Sequence, residues 1–444
     1  MRRLSCRPVF IPLAVGLTIL PIESGSAHPL QAEPVEHPYV FSFDQFHLPE
    51  DPDEHVVHGG FLLLAELRCA ACHGGHPGGF NYLRAEPGPS LHNIGSRMPE
   101  DAIWRIIRSP QHTKKGTLMP GLFTGDEGDA EDVEALTEFL ASLRRSEPLT
   151  MPPGDPEHGK HLYHEVGCVA CHEPANDFRP VAPPANLELE KPGLASVPIV
   201  LAEAYNHDEL AHFLLHPLES RPSARMPAQL RSEQEAADVA AYLQLGEIFE
   251  PAVERKILDI PAQGIERGRQ VFQERNCQAC HQVDSGRIPQ PCQDLTSLTT
   301  NQGCLGSERT SGIPFYNLSD LQKRALRLAL ERIQQSPETA LPYDRLDWQM
   351  ARLNCYACHD RDGKGGPEDP RAQYFSNKPL PEEAGFHPYP IPPSLDRVEE
   401  RLSSQALRNA LRGKPPGSDS ETTVRMPDFG AHYSEGFHTL FRRN

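Results

Sequence analysis

Cys69-Ala70-Ala71-Cys72-His73 places two thiols three positions apart with an imidazole directly after them. The same pattern returns as Cys168-Val169-Ala170-Cys171-His172, Cys277-Gln278-Ala279-Cys280-His281 and Cys355-Tyr356-Ala357-Cys358-His359. Two thiols at this spacing can add to the two vinyl groups of one haem, and the following His can take one axial position on its iron. Each copy therefore reads as a covalent haem c site, four in all. The paired Cys residues attach the group; His73, His172, His281 and His359 are the proximal metal ligands.

Such a site needs a helix that leads into the motif and further segments that cover the other face of the ring. The segment from Gly59 to Leu67 is apolar and runs into Cys69. After His73 come a Gly-rich loop, Pro89-Ser90-Leu91, an amphipathic helix over 101–108, Met119-Pro120 and a helix over 132–143. The second motif is led by a helix over 158–166 and followed by Pro184 and Leu187, a helix over 207–215, Arg225-Met226-Pro227 and a helix over 233–245. The third is led by Gly264 to Phe272 and followed by a strongly periodic helix over 318–334. The fourth is followed by a turn at 362–366, Pro393-Ser394-Leu395, a helix over 403–411, Arg425-Met426-Pro427 and a tail helix over 434–441. The Gly-Lys-Gly-Gly run in that turn has neither the Ser/Thr nor the preceding strand of a phosphate loop.

This order of elements, a helix ending in the haem motif, Pro-x-Leu, a middle helix, Met-Pro and a closing helix, resembles the class I cytochromes c. The resemblance covers nearly all of the chain after its first residues, module by module. It implies an all-α fold of tandem modules, small helical bundles around covalent haem with long Pro/Gly-rich loops. It also implies His/Met coordination, with Met119, Met226 and Met426 as the second axial ligands. The expected boundaries are 55–147, 155–250, 262–350 and 347–444. A helix over 343–353 would close the third module and open the fourth, fusing the two.

Counted from the proximal His, the Met ligands fall 46, 54 and 67 residues later in modules one, two and four. In module three the corresponding place is Leu341-Pro342, and leucine has no lone pair for iron. The third haem is therefore expected to lack an evident sixth ligand. Its iron could be open to a small exogenous ligand, Tyr343, Tyr316 or Lys323 could substitute, or Met350 could reach it. Met98-Pro99 also precedes a helix but lies too close to His73 to be preferred over Met119.

Length and composition agree with several small domains: 444 residues exceed one core, and 45 Pro suit helices joined by stiff loops. Residues 1–27 read as a signal peptide, with Arg2, Arg3 and Arg7, an apolar run and Gly25-Ser26-Ala27 at the cleavage region. Residues 28–54, rich in Pro, read as an extended leader. The expected location is the periplasm or another exported compartment, with no membrane span in the mature chain. Cys292 and Cys304, outside the motifs, are expected to form a disulfide there. The net charge of −18 argues against nucleic acid and for redox partners with a basic docking face. The function expected is single-electron transfer. The alternatives are a peroxidase-like oxidoreductase with its chemistry at the third haem, and the cytochrome subunit of a larger dehydrogenase.

Overall fold

Four segments with strong helical starts set the frame. The side chains of Asp155, Asn206, Ser232 and Ser403 each accept a hydrogen bond from a backbone N–H of the first turn that follows, which satisfies donors a helix start leaves unpaired. The computed structural model describes residues 36–74, 83, 87–175, 177–178, 197, 199, 205–245, 262–283, 292–299, 302–335, 345–367, 369–375, 392–414, 424–437 and 440–442. Its helices of six residues or more are α1 (Phe41–Phe46), α2 (Asp53–Glu66), α3 (Glu100–Arg108), α4 (Glu127–Ser142), α5 (Pro156–Glu165), α6 (His207–Leu215), α7 (Glu233–Leu243), α8 (Ala262–Glu274), α9 (Asp320–Gln335), α10 (Arg345–Arg352), α11 (Ser404–Leu411) and α12 (Gly430–Phe437). Among the described residues the sheet content is one antiparallel hairpin, β1 (Asp360–Arg361) with β2 (Lys364–Gly365), at the turn after the fourth motif. The all-α reading holds, and no described helix is long and apolar enough to cross a membrane.

The long helices pair as α2 with α9, α4 with α8, and α5 with α7. At each crossing a glycine lets the two backbones touch. A Cβ on Gly60 of α2 would lie 2.0 Å from the Ala325 carbonyl of α9, one on Gly268 of α8 would lie 1.9 Å from the Ala135 carbonyl of α4, and one on Gly159 of α5 would lie 1.9 Å from the Asp238 carbonyl of α7. Only a residue without a side chain fits these three places.

Two of these pairings depart from the modules expected at 55–147 and 262–350. The helix leading into the first motif, α2, packs on α9, which follows the third motif. The helix leading into the third motif, α8, packs on α4, which follows the first. The cores record the same exchange: Phe61 and Leu64 of α2 share a core with Ala325, Leu326 and Ile333, whereas Val271 and Phe272 of α8 share one with Val133, Leu136 and Phe139. So α9 is not the middle helix of a third module. It closes the bundle opened by α2.

Charge agrees with the partner each helix takes. Asp53 and Glu54 of α2 meet Arg324 and Arg332 of α9 at 2.6 and 2.7 Å. Arg275, just beyond α8, meets Asp129 and Asp132 of α4 at 3.1 and 2.9 Å, and Arg267 adds a second contact to Asp132 at 2.5 Å. Pairing by sequence order would set acidic α2 against acidic α4. The second and fourth units have cores of their own, the second around Val169, Leu210 and Val239, the fourth around Leu346, Leu407 and Phe429, with Tyr374 and Phe375 packed into the former and Ala224 into the latter.

The extended leader expected over 28–54 also needs correction. Tyr39 and Phe41 bury in the core of the second unit, Val40 and Phe43 in the core containing α2, and Phe41–Phe46 is helical. The aromatic residues of this stretch are anchors, and Gln322 of α9 ties it down by donating to the Pro38 carbonyl at 2.7 Å. The proposed signal segment, 1–27, lies outside the described residues.

Candidate functional site

All four motifs adopt a single helical turn entered through a positive φ: Arg68 at 60°, Asn276 at 55°, Asn354 at 56° and Gly167 at 120°. Asn and Gly take this conformation readily and Arg does not, so the first motif carries the one costly entry. In every copy the His backbone N–H donates to the carbonyl of the first Cys, at 2.8 to 3.0 Å, which fixes the imidazole relative to both thiols.

Each proximal His is then oriented by a second segment. Its Nδ1 donates to a backbone carbonyl: Gln293 for His73 at 2.8 Å, Val197 for His172 at 2.8 Å, Pro89 for His281 at 2.8 Å and Pro393 for His359 at 2.7 Å. With Nδ1 occupied as a donor, Nε2 keeps its lone pair for a metal. Burial holds His172 down to about 4, and lowers His281 and His359, so these imidazoles are neutral as ligation requires. Burial pushes the thiols of Cys69, Cys72, Cys168, Cys277 and Cys355 up to about 12, which excludes resting thiolate chemistry there.

The segment clamping His281 is not the one sequence order predicts. Pro89-Ser90-Leu91 follows the first motif, yet Pro89 takes the His281 bond, Gly88 N–H donates to the Cys280 carbonyl at 2.6 Å and Leu91 N–H donates to the Gln282 carbonyl at 3.1 Å. Reciprocally, Cys292 N–H donates to the Cys72 carbonyl at 2.8 Å and Gln293 takes the His73 bond. Gln293-Asp294-Leu295, which follows the third motif in sequence, thus serves the first motif as Pro89-Ser90-Leu91 serves the third. The sequence does not mark it, because Gln stands in place of Pro; the structure shows Leu295 fully buried there. Pro184 and Leu187 lie outside the described residues, and Val197 performs their expected role.

A cavity of about 430 Å³ joins three of the motifs. Its wall includes Cys168, Cys171 and His172, Cys277, Cys280 and His281, and Cys355, Cys358 and His359, together with Met119, Met226 and Met426. Lys114, Arg221 and Arg225 are also on this wall. Burial and mutual repulsion hold Lys114 down to about 7; burial also lowers Arg221 and Arg225. Half-buried cations beside an apolar cavity call for anionic partners, and among the described residues only Arg225 of the three meets a carboxylate, that of Glu66 at 2.9 Å. Neutral His, paired thiols, Met sulfur and half-buried cations suit a haem, with its vinyl groups, iron and propionates.

Of the other expected ligands, Met350 is fully buried among Leu346, Leu353 and Cys355, a packing residue. The Tyr316 hydroxyl donates to the Leu67 carbonyl at 3.0 Å. Lys323 lies on α9, whereas Leu341 and Tyr343 fall outside the described residues. Cys292 and Cys304 are separate thiols, so the expected disulfide is not formed. Both lie near the first motif: Cys292 N–H donates to the Cys72 carbonyl, and Cys304 neighbours Cys69 and Cys72.

The model of the family "Cytochrome C oxidase, cbb3-type, subunit III" matches residues 58–140, and that of the family "Cytochrome c" matches residues 265–326. Cytochrome c2 of Rhodopila globiformis is 31% identical over 102 residues, which cover 94% of that protein and 21% of this chain. No solved structure matches the chain.

Proposed function

Because this chain belongs to the c-type cytochromes, we propose that it is an exported tetrahaem carrier that passes single electrons between redox partners. The observation that carries this reading is the fourfold repetition of one constellation: two thiols on a turn, and an imidazole whose Nδ1 is spent on a backbone carbonyl. The group itself, once bound, supplies the one-electron chemistry. The chain's part is to attach it through Cys69, Cys72, Cys168, Cys171, Cys277, Cys280, Cys355 and Cys358, and to coordinate it through His73, His172, His281 and His359. Met119, Met226 and Met426 serve as sulfur donors, which raise the potential of an iron relative to a second His. Lys114, Arg221 and Arg225 pair with propionates.

The common cavity favours transfer over independent storage, since three sites open into one space. The acidic surface, −18 overall, suits partners with a basic docking face. The test is haem content by pyridine haemochrome together with the mass of the intact holoprotein. Four covalent haems per chain support the reading; a smaller number refutes it.

A further inference from the structure

The four segments that end in X-Pro meet in two matched pairs. Ala228 and Asp428 exchange both backbone hydrogen bonds, at 3.0 and 2.9 Å, and each lies two residues after a methionine, Met226 and Met426. Gly121 and Phe315 exchange the same two bonds, at 2.9 and 2.8 Å. Gly121 lies two residues after Met119; two residues before Phe315 is Ile313. The next residue is Pro in all four cases: Pro120, Pro227, Pro427 and Pro314. The closing helices then begin six or seven residues after Pro120, Pro227 and Pro314.

The flanking contacts cross between partners in the same sense, at one or two residues before the Met or Ile. Two residues before the methionine, Ala224 packs into the core of the fourth unit and Val424 against that of the second, so each loop reaches across to its partner. In the other pair, Leu118 packs against the core holding Cys69, and Ser311 donates to Asp129 of α4 at 2.8 Å, beside the core holding Cys277. Loop 117–121 thus belongs with α4 and α8, and loop 311–315 with α9 and α2.

Resting on the tetrahaem reading, we infer that Met119 is the sixth ligand opposite His281. The coordination position opposite His73 has an isoleucine, Ile313, in the methionine's place. The site without a methionine is therefore the first along the chain and not the third. Isoleucine offers no donor atom, and none of the methionines packs against the core that holds Cys69. Ile313 is 37% exposed, so this position also stands closest to solvent, open to a small neutral ligand such as carbon monoxide.

The experiment is carbon monoxide titration of the reduced holoprotein, with haem content measured on each sample. The wild type is expected to bind one carbon monoxide per chain. Replacing both Cys69 and Cys72 with Ala abolishes that binding; replacing both Cys277 and Cys280 with Ala retains it. Ile313→Met supplies a sulfur at a partly exposed position, where a volume-conserving change is tolerated, and abolishes binding with all four haems still attached. Absence of binding in the wild type, as ligation by Cys304 would produce, overturns the inference. So does loss of binding on removing Cys277 and Cys280 with survival on removing Cys69 and Cys72. A wild-type haem count below four instead refutes the tetrahaem reading, whatever the titration shows.

Discussion

The Pro89 carbonyl accepts a hydrogen bond from His281, 192 residues further along the chain, and not from His73, which is far nearer in sequence. Its counterpart is the bond from His73 to Gln293. These two contacts state the exchange at the level of single atoms. The chain leaves the first motif and completes the third; it leaves the third and completes the first. The bundle of α2 and α9 cannot then form before the chain has been made from 53 to 335, nor that of α4 and α8 before 274.

The α8–α4 junction is the place to test that exchange by stability. Asp129 and Asp132 are buried against Arg275, and removing the cation leaves carboxylates in poor solvent. Arg275→Ala is expected to destabilise by about 2 to 4 kcal/mol, and Asp132→Ala to be non-additive with it in a double-mutant cycle. Additive effects in denaturant unfolding would mean that Arg275 and Asp132 do not interact.

Glycine at the crossings gives a second, purely steric test. Gly268→Val places carbon against the Ala135 carbonyl of α4, where a Cβ would lie 1.9 Å from the oxygen, so the helices must separate. The expected cost is about 3 kcal/mol, with loss of thermal stability in a calorimetric scan. Gly128→Ala, where a Cβ meets nothing within 4 Å, should leave the melting temperature within error.

Much of this architecture is legible in the sequence, but the pairing is not. Motif spacing and apolar period locate the helices over 101–108, 207–215 and 403–411 to within about a residue, because each is amphipathic and bounded by its cap or a Pro. Repeats of one design present interchangeable halves, so the order of elements does not say which closing helix meets which opening helix. The discriminating contacts, glycines such as Gly60 and Gly268 against carbonyls and charges such as Asp53, Arg275 and Arg324, are read only once helices are placed side by side. The fourth ligand position was hidden for a related reason. Ile313-Pro314 has no Met to mark it, and Leu341-Pro342 occupied the expected place in sequence order.

Acid sensitivity should follow from His164. It is buried, donates from Nδ1 to the Lys160 carbonyl at 2.7 Å and accepts at Nε2 from Ala175 N–H at 2.8 Å, an arrangement only the neutral ring can make. Burial holds it down to about 4 from the ordinary 6.5. The unfolded chain therefore binds the proton first: the contribution is full above pH 6.5 and is lost as pH falls toward 4, amounting to about 3 kcal/mol. Melting temperature measured between these limits should fall with pH, and His164→Gln should flatten that fall. An unchanged slope would place the acid sensitivity elsewhere, for instance at His47, which burial holds down to about 3.

Redox behaviour supplies a further expectation. Met426→His should move one of the midpoint potentials downward in spectroelectrochemical titration, since imidazole favours ferric iron more than thioether does. If every potential stays in place, Met426 is not a ligand.

The exchange and the ligand assignment meet in one observable, the ε-methyl signals of the methionines. A methyl group bound to ferrous low-spin haem iron is displaced far upfield by the ring current, and labelling methionine methyl carbon makes each such signal visible in a protein of 49.4 kDa. Signals from Met119, Met226 and Met426 should all be displaced. The displaced Met119 signal should survive replacement of Cys69 and Cys72 by Ala and vanish on replacement of Cys277 and Cys280. A Met119 signal that is lost with Cys69 and Cys72, and kept without Cys277 and Cys280, would contradict the account.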